Sequence, residues 1–307
     1  MPVATKISPF NSHESWVISD DPIFLQHCAA QGFTTRLLSQ IDSLPAQSII
    51  FSFCNEAAKR TFDIAKNTPV QQSIFCATHV FEPSVNNALY SLNLIMNSDF
   101  HAALYKQRLV LTLLETHTHF KLEGASSEAS VVISEQSTPY AMLEEDINKP
   151  YIHSVAEFFE VHYAHMHASA PCPFNFEGHL IITGILTVLR KPLTPPDKEL
   201  KMALLTLIQE VAQHTALLTI KHNCITSFTV NSIEYRSLLK RAAGARALAL
   251  TEFAVGVNEA IEPLIDYRFN SQMNEGINGV HVAIGDGSTG YHVDFLSPTV
   301  AFSPYQK

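Results

Sequence analysis

The chain has 307 residues, enough for two ordinary domains or one large one. Of these, 46% are hydrophobic and 16% charged, the composition of a packed core and not of a disordered tail. The formal charge is −9 with no long run of Lys or Arg, which excludes nucleic-acid binding by counterion release and makes an acidic membrane a poor partner.

In chain order, Gln47–Cys54 reads as a buried strand and Glu56–Asn67 as the helix after it. A second helical stretch runs over Ser84–Leu104, and Leu109–Gly124 reads as one or two strands. This strand–helix–strand rhythm predicts a small α/β domain over residues 1–125. It carries no glycine-rich phosphate loop, so no motif supports nucleotide binding. The polar, acidic stretch 126–150 marks the boundary to a second domain, 126–307, of mixed α/β type with antiparallel hairpins. Pro171 and Pro173 exclude a regular helix beyond Ala170. Gly178–Leu189 reads as a strand, and a proline break over 191–199 leads into a helix Lys198–His214. Thr215–Val230 reads as a hairpin turning at His222 and Asn223. Asn231 and Glu234 stand at capping-box spacing for a helix Ile233–Ala243, and Ala247–Val257 reads as a strand. The fold class expected is α+β, or mixed α/β.

The last element, Gly279–Leu296, carries the chemistry. Val280, Val282 and Ile284 alternate with His281 and Ala283, while Tyr291, Val293 and Phe295 alternate with His292 and Asp294. Alternate residues of a strand share a face, so each strand buries an apolar set and shows a polar one. Asp286-Gly287 is a two-residue turn signal. A loop of that register sets His281 opposite His292, with Asp294 as its diagonal neighbour. Two histidines and a carboxylate on one face suit zinc, or iron(II) in a facial triad. The alternative is a solvated polar face with ordinary turn residues.

The blocks LTEFAVGVN, GVHVAIGDG and YHVDFL resemble the C-terminal half of the M29 metallo-aminopeptidases and of the related 2,5-dihydroxypyridine dioxygenases. The resemblance implies an aminopeptidase-like mixed α/β domain that dimerises. It implies one or two divalent metals (zinc, manganese or iron(II)) held by Glu252, His281, His292 and Asp294, with Glu252 a ligand or the general base. Tyr291 is a loose match to a tyrosine that lines the peptidase metals. The peptidases also carry a glutamate in a P-x-x-E-V-[FY]-T-x-P segment. The comparable place here is read as Ala164–Pro173, which has none, so a one-metal or empty site is expected, with His162, His165 and His167 as substitute ligands or as an exposed histidine-rich loop.

Five widely spaced cysteines without a CxxC point to reduced thiols in a cytoplasmic protein. Cys172 near the three histidines is the only hint of a nucleophilic pair, and a free Cys is more often simply buried. The N-terminus lacks the basic and apolar regions of a signal peptide, and no apolar run reaches bilayer length. Three functions follow from these residues. They are a metal-dependent hydrolase of a peptide or small amide, a non-haem iron(II) dioxygenase, and a non-catalytic peptide-binding relative in a biosynthetic pathway. A homodimer with a peptide or small-molecule partner is expected in each case.

Overall fold

The computed structural model describes residues 15–68, 72–124, 126–190 and 197–305. The N-terminal segment read as lacking a signal peptide, and most of the proline break over 191–199, lie outside them. The fold is α+β, built on three sheets.

The first sheet is wholly parallel. Its strands are β1 (Trp16–Ser19), β2 (Thr34–Leu37), β3 (Gln47–Phe51), β4 (Gln72–Cys76) and β7 (Tyr151–Ser154), in the order β2-β1-β3-β4-β7. Helices α1 (Pro22–Ala30), α4 (Val85–Asn97) and α5 (Phe100–Thr116) cover one face, and α2 (Asn55–Lys66) the other; a short helix α3 (Thr78–Phe81) follows β4. Cover on both faces explains why Ser48–Phe51 is buried without alternation. The helix expected over Ser84–Leu104 is two helices, because Asp99 caps α5 by accepting a hydrogen bond from the Ala102 amide at 3.0 Å. Leu109–Thr116, expected as strand, is the end of α5; periodicity cannot separate a short apolar run of strand from one of helix.

Two antiparallel sheets form the rest. The seven-stranded sheet is β13-β12-β11-β9-β6-β5-β17. It comprises β5 (His119–Gly124), β6 (Ser127–Ile133), β9 (Phe174–Ile182), β11 (Ala216–Lys221), β12 (Cys224–Val230), β13 (Ile233–Glu234) and β17 (Ala301–Pro304). The five-stranded sheet is β10-β16-β15-β14-β8. It comprises β8 (Glu160–Ala164), β10 (Gly184–Val188), β14 (Leu250–Gly256), β15 (Gly279–Ile284) and β16 (His292–Pro298). The largest core lies between these sheets and α6 (Lys198–His214), around Phe176, Phe228, Phe253 and Phe295.

Several boundaries differ from expectation. The sheets do not divide at 125/126. Strands β5 and β6 already belong to the seven-stranded sheet, and β7 returns to the parallel one. The stretch Gly178–Leu189 is two strands in two sheets, and the chain changes sheet at Gly184, where a Cβ would stand 2.2 Å from the Tyr267 ring. The turn at His222 and Asn223 forms as expected, both with positive φ. Asn231 and Ser232 make a second tight turn instead of a helix start. Glu234 there accepts from the amides of Phe228 and Arg236, and helix α7 (Arg236–Ala242) begins after it. Among the described residues no helix is long and apolar enough to cross a membrane.

Candidate metal centre

One face of the five-stranded sheet packs on the large core; the other carries the polar set. On that second face, β8 contributes Glu160 and His162, β14 Glu252 and Ala254, β15 His281 and Ala283, and β16 His292 and Asp294. The register brings them together. Ala283 lies opposite Glu252 on one side and Asp294 on the other, and Ala254 lies opposite His162 and His281. Each alanine leaves room between larger side chains.

A β-bulge aims Glu252. Leu250 pairs with Ile284 but Glu252 pairs with Ala283, so two residues of β14 meet one step of β15. Without that extra residue Glu252 would share the core-facing side of Leu250; bulges commonly re-aim a side chain in this way. The bulged residue, Thr251, donates from Oγ1 to the Gly285 carbonyl at 2.7 Å.

The terminal hairpin differs from the expected register. His281 stands opposite Leu296, not His292, and Ala283 opposite Asp294. The turn is not Asp286-Gly287 alone but the loop between β15 and β16, pinned by the Asp286 carboxylate, which accepts from the Ser288 and Thr289 amides at 2.8 Å each. The displacement is by an even number of residues, so the histidines and the aspartate still share a face. That face is buried rather than solvated, because the loops after β14 cover it.

The ligand atoms converge in two groups that share Glu252. In Glu252, His281 and Asp294, and in Glu160, His162 and Glu252, the atoms of each group lie within 4.8 Å of one another. His281 Nε2 is 3.4 Å from Glu252 Oε1 and 3.6 Å from Glu160 Oε2. His292 Nε2 is 2.9 Å from Asp294 Oδ1 and 3.6 Å from Glu252 Oε2. Its Nδ1–H donates to the Gly285 carbonyl at 3.0 Å, which turns Nε2 toward the carboxylates. The side chains of Glu160, Glu252, His281, His292 and Asp294 are 1–11% exposed, and that of His162 is 21% exposed.

Four buried atoms of this cluster make no well-aligned hydrogen bond, Asp294 Oδ2, Glu160 Oε2, His281 Nε2 and His162 Nδ1, although the two nitrogens lie 3.4 Å from Glu252 Oε1 and 3.2 Å from Glu160 Oε1. Buried polar atoms are rarely left unpaired, and nitrogen and carboxylate donors converging on one space fit a divalent metal.

The charges are tightly coupled. Burial opposes a positive His292, but Asp294 beside it overcomes this and holds the imidazole up to about 9. Burial likewise opposes charge on His162, which Glu160 lifts to about 9. Burial works against a charged Glu252, yet the three surrounding histidines bring it down to about 2. Glu275, from the covering loop, is pushed well above the carboxylate range by burial and by Asp294, Glu160 and Glu252.

Of the residues singled out in the sequence, His281, His292, Asp294, Glu252 and His162 meet. The others do not. His165 uses both ring nitrogens elsewhere, accepting from Arg246 at 3.1 Å and donating to the Ala170 carbonyl at 2.9 Å. His167 is exposed, and Tyr291 packs in the large core behind the sheet. Cys172 is half-buried beside Asn223. Glu160 and Glu275 are additions. Glu160 lies two residues before His162 on β8 and shares its face, and that alternation was the available signal.

Comparison with solved structures finds wild-type AmpT from Thermus thermophilus (TM-score 0.46, 12% identity, 99% of this chain and 95% of that one). It also finds the 2,5-dihydroxypyridine dioxygenase of Pseudomonas putida KT2440 (TM-score 0.48, 10% identity, 94% of this chain and 87% of that one). No curated protein matches the sequence. The model of one family, described as crocagin biosynthetic protein CgnE/B, matches residues 12–304. That match spans nearly the whole chain, from before β1 to the end of β17, and the chain belongs to the crocagin biosynthetic protein CgnE/B family.

Proposed function

We propose that this chain is a metal-dependent hydrolase acting on a peptide or small amide within a biosynthetic pathway. The observation that carries the reading is the buried meeting of Glu252, His281 and Asp294, with His281 Nε2 and Asp294 Oδ2 making no well-aligned hydrogen bond. The family description supports the biosynthetic setting. A divalent cation held there would polarise a carbonyl and lower the pKa of a bound water. His292, fixed through Gly285, keeps its Nε2 on Asp294 and Glu252, so the ligand carboxylates are themselves oriented. Glu252 is a ligand or, if water reaches it, the general base.

The test is elemental analysis of the full-length protein, with turnover of peptide and amide substrates before and after chelation. Bound zinc, manganese or iron and turnover abolished by a chelator are expected. A chain with no bound metal and no affinity for any of the three would overturn the reading.

Near-complete burial of the ligands favours a second reading, a closed centre in a non-catalytic peptide-binding protein. Peptide affinity indifferent both to chelation and to His292→Ala, with no turnover, would support that one instead.

A further inference from the structure

Resting on the hydrolase reading above, we propose that Arg190 is the specificity-determining residue of this centre and selects short peptides with a free C-terminal carboxylate.

Strand pairing places Arg190. On β10, Leu186 lies opposite Asp294 and Val188 opposite His292, so both share the polar face of the five-stranded sheet. Arg190 is the next residue of that alternation. Strand β10 ends at Val188, but the chain stays against the terminal hairpin, because the Arg190 amide donates to the Gly287 carbonyl at 2.6 Å. A Cβ on Gly287 would stand 3.4 Å from Arg190 Cγ and 3.6 Å from His292 Cβ. The Arg190 side chain therefore crosses the hairpin loop beside the His292 end of the centre.

Its charge is uncommitted. Arg60, Arg108, Arg241 and Arg268 each pair with a carboxylate. Among the described residues the Arg190 side chain has no such partner, and it is exposed. What it faces is the centre. Burial and the Asp294, Glu160 and Glu252 carboxylates push Glu275 up, and Arg190 acts against them.

A centre with Glu160, Glu252, Glu275 and Asp294 repels an anionic ligand unless a cation stands beside it. A guanidinium at the rim is that cation, and its fork of N–H donors matches a carboxylate. Arg190 lies two residues past Val188, an advance of about 7 Å along the strand. An extended peptide spans about 3.3–3.6 Å per residue. One or two residues thus fit between an amide held at the centre and a carboxylate held by Arg190.

Calorimetric titration of the chelated, full-length protein with trialanine and with trialanine amide reads the preference without turnover. Wild type is expected to bind the free acid about tenfold more tightly than the amide. Arg190→Ala is expected to bind the two alike, and Arg190→Lys, which keeps the charge but not the fork, to recover part of the difference. Zinc affinity is expected to match wild type in both variants. In turnover by the zinc-loaded protein the loss is expected in KM, with kcat unchanged. Equal affinity for acid and amide in wild type, no binding of either, or a preference that survives Arg190→Ala overturns the proposal. So does Arg190→Ala that weakens zinc and treats acid and amide as wild type does, the mark of a counter-charge to the acidic centre. An acid preference that depends on Arg190, in a zinc-loaded chain that turns over neither peptide, would instead sink the hydrolase reading and leave this one standing.

Discussion

Ala283 is the floor of the candidate metal centre. It is wholly buried, opposite Glu252 on β14 and opposite Asp294 on β16, so those carboxylates meet above its methyl group. A larger side chain has no space there except the space the ligand atoms face. Ala283→Leu should therefore weaken zinc binding at least tenfold, about 1.4 kcal/mol. Overpacking should also destabilise the fold by about 1–3 kcal/mol. Titration and urea unfolding read the two effects separately, and wild-type zinc affinity in this variant would show that the cation sits elsewhere. At this scale the sequence was informative. Strand alternation alone put His281, His292 and Asp294 on one face, and that parity survives although the hairpin register does not. What alternation could not tell was that the polar face is the buried one, since that depends on loops from distant parts of the chain.

The bulge in β14 organises two residues of the candidate centre at once, Glu252 and His292. It turns Glu252 to the polar face, and its extra residue, Thr251, donates to the Gly285 carbonyl. The same carbonyl accepts from His292 Nδ1. Gly285 itself has φ +77°, and a Cβ there would stand 1.9 Å from the Tyr291 carbonyl oxygen, so the loop conformation depends on glycine. Thr251→Val keeps the shape and removes one of the two donors. The carbonyl retains His292, so the cost to stability should be about 0.5–1.5 kcal/mol rather than that of an orphaned group. The carbonyl would then be freer to shift, and zinc affinity should fall by about tenfold, the lower end for an outer partner of a metal ligand. Unchanged affinity would mean that His292 needs no help from the bulge. The bulge does mark the sequence: the apolar set Leu248 and Leu250 slips by one residue to Phe253, Val255 and Val257, but only the pairing with β15 says which strand absorbs the extra residue. The strand Ala247–Val257 was foreseen, and so was Glu252 on it, but the face Glu252 takes is set by pairing. Glu160 carries no motif of its own, and only the pairing of β8 with β14 brings it to the face of His162 and Glu252.

The whole molecule closes over the centre with polar joints. Asn270, Ser271 and Asn274, all buried, tie the covering loop to α4 through Asn87, Ser91 and Tyr90, and Asn270 also holds Thr187 on β10. These contacts cross between the helices on the parallel sheet and the five-stranded sheet. The chain itself also passes between the sheets: β5 and β6 leave for the seven-stranded sheet before β7 returns to the parallel one. Such a closed shell makes the charge state of the centre a property of folding. Without metal, Glu160, Glu252 and Asp294 are held together by protonated imidazoles. His292 and His162 are lifted to about 9 in the folded chain, against about 6.5 for an unfolded histidine. A group raised on folding contributes stability that is complete below its unfolded value and is lost as the pH climbs through its folded one. Glu275, pushed above the carboxylate range, acts in the same direction. The chelated protein should therefore lose stability between about pH 6.5 and about 9, read as a falling urea midpoint. A bound cation replaces those protons and needs the imidazoles neutral, so its affinity rises with pH over the same window. Saturating zinc should flatten or reverse the slope by adding a stabilisation that grows with affinity. Parallel pH profiles with and without zinc would show that cation and protons do not compete, and would move the metal away from His162 and His292.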